Sequence, residues 1–150
     1  MRKRTAGILT ILATGAALLV AVSVASGSSS ATKYTARLTA GQEVPKPAGV
    51  PSGATGTFTA TLTGTTLKWT LTYSHLSGAA QAAHIHLGKK GVAGNVIVPL
   101  CATPTACKSP IKGSAKVSAA WIKDMGAGKT YVNIHTKKNL NGEIRGQVGM

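Results

Sequence analysis

Polar and apolar residues alternate most regularly in two neighbouring stretches. In 57–63 threonine takes every second position, and Phe58, Ala60 and Leu62 fall between. In 67–73 the same period returns, with Leu67, Trp69, Leu71 and Tyr73 as the apolar set. A period of two sends each set to one face of a strand, so both stretches predict half-buried strands. Gly64-Thr65 joins them closely enough for a hairpin. Weaker versions of the pattern predict strands at 34–40, 82–87, 95–100, 111–117, 129–136 and 142–148. A turn is expected at 76–81. Pro45, Pro47 and Pro51 make 41–53 a loop. The exception is 118–125, where Trp121, Ile122 and Met125 fall at helical spacing. Ser118 can cap this helix and Gly126 and Gly128 can end it. About eight short strands with one short helix predict an all-β fold, an antiparallel β-sandwich or Greek-key barrel.

The N-terminus follows different rules. Met1-Arg2-Lys3-Arg4 is basic, 6–25 is almost wholly apolar or small, and Ser23-Val24-Ala25 is a small-x-small site. This predicts a secretory signal peptide over 1–25, a Gly/Ser-rich linker over 26–33 and one domain over 34–150. A chain left uncut there would touch the membrane through that segment alone. Export puts the protein outside the cell or in its envelope. Cys101 and Cys107 then predict one small-loop disulfide, worth about 2 kcal/mol in the chain-entropy account.

Charge adds a class of partner. The formal net charge is +14, and Glu43, Asp124 and Glu143 are the three acidic residues. Such a field favours anionic cell-envelope polymers or an acidic face of an extracellular protein. Nucleic acid is a poor match, because lysines are scattered and aromatic residues are too few for a stacking platform.

Four blocks carry a family resemblance. They are 38–45 (Leu-Thr-Ala-Gly-Gln-Glu-Val-Pro), 82–86 (Ala-Ala-His-Ile-His), 126–136 (Gly-Ala-Gly-Lys-Thr-Tyr-Val-Asn-Ile-His-Thr) and 141–148 (Asn-Gly-Glu-Ile-Arg-Gly-Gln-Val). In this order they resemble the chordin-domain (CHRD) family in its single-domain bacterial secreted form. The resemblance implies an all-β extracellular module and no assigned reaction. The His-x-His pair is also similar to that of copper/zinc superoxide dismutases. Their dinuclear site uses six histidines and an aspartate. This chain has four histidines, which leaves room for one metal at most.

The candidate chemistry follows from strand parity. His84 and His86 share a face. If Val132, Ile134, Ile144 and Val148 point to the core, then Tyr131, Asn133 and His135 share the opposite face with Glu143, Arg145 and Gln147. Three readings stay open for this patch. His84, His86 and His135 can hold one copper or zinc ion, since neutral imidazole suits both. The polar groups can instead form a hydrogen-bond network that fixes register. Arg145, with Lys89 and Lys90, can bind a small anion or a sugar. No nucleophile elbow, paired carboxylates or phosphate loop is present, so no catalytic residue is assigned. The sequence therefore favours a non-enzymatic binding module. The alternative is a mononuclear copper protein with dismutase-like or other redox activity. Glu43 reads equally as a plain loop residue or as a carboxylate that reaches the histidine patch, Asp124 as a solvated helix position, and His75 as a surface histidine that could serve as a fourth ligand. Trp69 and Trp121 read as core.

Overall fold

The computed structural model describes residues 30–150. The leader expected at 1–25 and the first half of the linker lie outside the described residues. Eight strands follow: β1 (Thr32–Thr39), β2 (Thr55–Thr63), β3 (Thr66–Ser74), β4 (Ala80–Leu87), β5 (Val96–Cys101), β6 (Ile111–Lys116), β7 (Thr130–Thr136) and β8 (Ile144–Gln147). Among the described residues one α-helix, α1 (Ala119–Gly126), lies between β6 and β7, and a 3-10 turn at Ala40–Gln42 follows β1. The expected all-β antiparallel architecture with one helix is what forms. The strands make one sheet in the order β5-β4-β7-β8-β1-β2-β3-β6. The sheet curls into a nearly closed barrel.

The ends of the order, β5 and β6, are tied by the Cys101–Cys107 disulfide. Cys101 ends β5, and Cys107 lies in the loop that leads to β6. This bond keeps the two edges close and so shields backbone groups that would otherwise be open for pairing. It also fits an oxidising compartment.

Alternation sorts one residue in two onto the inner face. Leu38, Phe58, Leu67, Leu71, Ile85 and Ile134 are all fully buried there. The β-branched threonines between them suit the pleated backbone. Ser118 caps α1 by accepting the Trp121 N–H at 3.2 Å. Gly128, with φ at +64°, turns the chain after the helix. Met125 is buried, while Trp121 and Ile122 are half-buried against the core. Trp121 thus flanks the core and does not fill it.

Most element bounds lie within one or two residues of expectation, and two differences bear on the site. β4 begins at Ala80, inside the turn expected at 76–81, because Ala80 pairs with Thr136 of β7. β8 begins at Ile144, since Gly142 takes φ +125° and breaks the extended run.

The outer faces of the two halves of the sheet differ. Over β1, β2, β3 and β6 the face is open. Over β4, β7 and β8 it is roofed. In β7 every residue but His135 is buried. The loop at 88–95 forms one part of the roof and the loop after β1 another.

Candidate metal centre and its buried polar surroundings

Register places the candidate residues in rows across the roofed face. His84 of β4 lies opposite Asn133 of β7, which lies opposite Arg145 of β8. One row along, His86 lies opposite Tyr131 and Tyr131 opposite Gln147. One row the other way, His135 faces Ala82. Alanine leaves room there, so the longer His84 side chain leans diagonally onto His135. Their nearest nitrogens, His84 Nδ1 and His135 Nε2, are 3.0 Å apart. The pairing of β4 with β5 is irregular on both sides of His84 and Ile85, a break of the kind that re-aims side chains.

His84, His86 and His135 each offer one nitrogen, and these three atoms lie within 4.8 Å of one another. Two carbonyls decide which nitrogen is free. His86 Nδ1 donates to Gly94 O at 2.8 Å, and His135 Nδ1 donates to Leu140 O at 2.8 Å. Each bond puts the proton on Nδ1 and leaves the Nε2 lone pair unprotonated, as in ligating histidines held by a carbonyl. His86 Nε2 is buried and lacks a hydrogen bond of ordinary geometry, although the Asn133 side chain lies close enough to bias the ring.

The environment favours the neutral rings. Burial, then the charges of His135 and His86, push His84 down to about 4. Burial also lowers His86 and His135, against the carbonyl bonds that act the other way. Neutral imidazole is the form that binds metal. Nitrogens on one ion at about 2.0–2.1 Å stand roughly 3.3–4.1 Å apart, so the cluster closes on a metal with side-chain shifts of about 1 Å.

Beyond the histidines lies a buried polar core. The His86 ring stacks on Tyr131, with centroids 4.8 Å apart and planes 9° apart. The Arg145 guanidinium carbon sits 3.4 Å from the centre of the same ring. Arg145 is 1% exposed. Its Nη2 donates to Lys89 O at 2.9 Å and to Val92 O at 3.0 Å. Gln147 donates to Gly88 O at 2.8 Å and to Gly128 O at 2.9 Å. The Tyr131 hydroxyl meets Gly94 N–H at 3.2 Å. These bonds bolt down the 88–95 roof and so set the Gly94 carbonyl that orients His86.

Glutamates divide otherwise than parity suggests. Glu143 does not join the imidazole patch, because it lies in the bend between Gly142 and the start of β8, where the alternation does not reach. Its carboxylate accepts from Ser77 N, Ser77 Oγ and Thr136 Oγ1 at 2.5 Å each, and from Asn139 at 3.1 Å. Burial opposes ionisation, but these bonds outweigh it and hold the Glu143 carboxyl below its usual value. Glu143 thus anchors the turn that presents the Leu140 carbonyl to His135. The carboxyl that lies beside Asn133 and Arg145 is Glu43, 2% exposed. Its burial raises it, against Val44 N–H, Arg145 and Asn133. Of the two readings open for Glu43, the carboxylate that reaches the patch is the one the fold forms, whereas Ser77, Gly94 and Leu140 are not singled out by the sequence. Two of them act through backbone carbonyls, which leave no trace in side-chain identity.

The other candidates lie elsewhere. His75 is exposed, with φ at +57°, and takes no part. Asp124 is half-buried and pairs with Lys129 at 4.0 Å. Lys90 is exposed and Lys89 contributes its carbonyl.

A model of the CHRD domain matches residues 34–148. The chain belongs to the CHRD-domain family. A search of curated proteins and one of solved structures found no match.

Proposed function

We propose that this CHRD-domain chain is an exported, non-enzymatic binding module that holds one copper or zinc ion through His84, His86 and His135. The observation that carries this reading is the pair of carbonyls, Gly94 O and Leu140 O, that fix His86 and His135 with Nε2 free. A network serving register alone would give each buried nitrogen a hydrogen bond of good geometry, and His86 Nε2 lacks one. All three ligands are imidazoles, which suits copper and zinc better than calcium or magnesium. The leader pattern at 1–25 and the disulfide support a place outside the cytoplasm.

The test is elemental analysis of untagged protein, beside a His84→Ala/His86→Ala double variant. One equivalent of copper or zinc is expected in the parent and none in the variant. Sub-stoichiometric metal in the parent after dialysis against either ion, or equal metal in both proteins, overturns the reading.

A further inference from the structure

The open half of the sheet carries a second feature, remote from the histidines. On β1, β2, β3 and β6 every outward side chain is Thr, Ser, Lys or Arg, by the register of the four strands. Two adjacent rows cross all four strands. One runs Lys33, Thr61, Lys68, Ser114, and the other Thr35, Thr59, Thr70, Lys112. Between the rows lie the inward residues Tyr34, Ala60, Trp69 and Gly113, of which the first three are buried. The result is a transverse groove of about 850 Å³, walled by hydroxyls and ammonium groups.

We infer that this groove binds an extended acidic polysaccharide, one whose sugar rings carry carboxylates. The first argument is charge. Lys33, Lys68 and Lys112 line the groove, with Arg37 and Lys116 in the flanking positions. No carboxylate opposes them, because Glu43 and Glu143 are buried and Asp124 is on α1. The second is spacing. At about 4.8 Å per strand, Lys33 and Lys68 stand about 10 Å apart, and Lys68 and Lys112 about 8 Å apart. That matches carboxylates on alternate rings of a glycan better than the closer charges of a phosphate chain. The third is the lining between the cations. Threonine hydroxyls both donate and accept, so they suit sugar hydroxyls. Trp69 and Tyr34 are buried, which leaves no aromatic platform for nucleic acid bases. No apolar side chain on this face could enter a membrane.

The test measures binding of the full chain to polygalacturonate, with dextran, polyphosphate and anionic phospholipid vesicles as comparisons. Polygalacturonate should bind, weaken with salt, and outcompete polyphosphate and vesicles; dextran should not bind. A Lys33→Thr/Lys68→Thr/Lys112→Thr triple variant should lose roughly tenfold in affinity, the modest sum of three exposed charges. Removing the same charge elsewhere, with Lys108→Thr/Lys123→Thr/Lys137→Thr, should cost less than about threefold, as expected for screened distant charges. Thr59→Val/Thr70→Val keeps shape and charge and should still weaken binding. His84→Ala should leave it unchanged, which separates this inference from the metal reading. Equal losses in the two lysine triples would show a diffuse field and overturn the inference. So would full binding by the groove triple, or tighter binding of polyphosphate or vesicles than of polygalacturonate.

Discussion

The two halves of the sheet share one apolar inner face and differ on the outside. Over β1, β2, β3 and β6, threonine and lysine face water, and each side chain there is replaceable in stability terms. Over β4, β7 and β8, loops cover the face, and what they cover is polar: three imidazoles, Asn133, Glu43 and Arg145. A buried polar group costs free energy unless it is partnered. A sheet that needed only stability would place apolar residues under those loops. The roofed half instead carries a polar layer that is costly to keep and accurately held, and it is there that the proposed metal site falls.

The largest expected effect tests that contrast directly. Arg145→Met strands the Lys89 and Val92 carbonyls and leaves Glu43 buried without its cation. It should lower unfolding free energy by about 3–5 kcal/mol. Arg37→Met, on the open face, should stay within about 0.5 kcal/mol of the parent. Urea titration of the two variants decides it, and equal losses would erase the distinction between the halves.

A smaller effect concerns two glycines of positive φ. Gly91, at φ +78°, has open space around it, and Gly91→Ala should cost about 1 kcal/mol of backbone strain. At Gly142, φ +125°, a methyl group would collide with the Glu43 carboxyl and approach the Asn133 amide. Gly142→Ala should therefore cost about 2–3 kcal/mol by strain and overpacking together. Thermal unfolding compares them, and a smaller loss at Gly142 would mean that Glu43 is not confined there.

The third effect is a pH dependence that belongs to the roofed half. His84 is depressed to about 4, below its usual 6.5. The unfolded chain therefore binds more protons between these values. Stability of the metal-free protein should fall as pH drops from about 6.5 to about 4, and be flat in this respect above 7. Glu43, raised by burial, acts with the opposite sign above its usual 4.5. His84→Gln isolates the histidine share, and its unfolding midpoint should change less across that window. An unchanged slope would show that His84 charges without resistance in the folded state.

Much of the open half can be read from the chain, because one face is wet. Thr57–Thr61 against Phe58–Leu62 is an alternation with a single interpretation. In β7 the rule holds for geometry and fails for burial. Tyr131, Asn133 and His135 share a face, as parity requires, but that face is under loops. Nothing in the glycines of 88–94 announces a roof, since loops of that composition commonly lie in solvent. Glu143 shows the limit of parity more sharply. Alternation reaches only as far as the extended backbone, and that begins at Ile144, one residue after Glu143. Glu43 stays undecided between loop and patch for another reason: its partners, Asn133 and Arg145, lie about a hundred residues away in sequence.

That separation has a consequence in time. Thr39 of β1 pairs with Arg145 of β8, so the first strand waits for the last. During synthesis the hairpin of β2 and β3 is complete early, and its contacts are local. The polar layer closes only when the C-terminal hairpin has arrived and settled beside β1, across the longest loop in the fold. Closing such a loop costs entropy before any contact repays it, so this step should set the folding rate. The histidine cluster is then a late product of folding. His84 and His86 are made long before His135, and a partly synthesised chain offers a metal two imidazoles with no third.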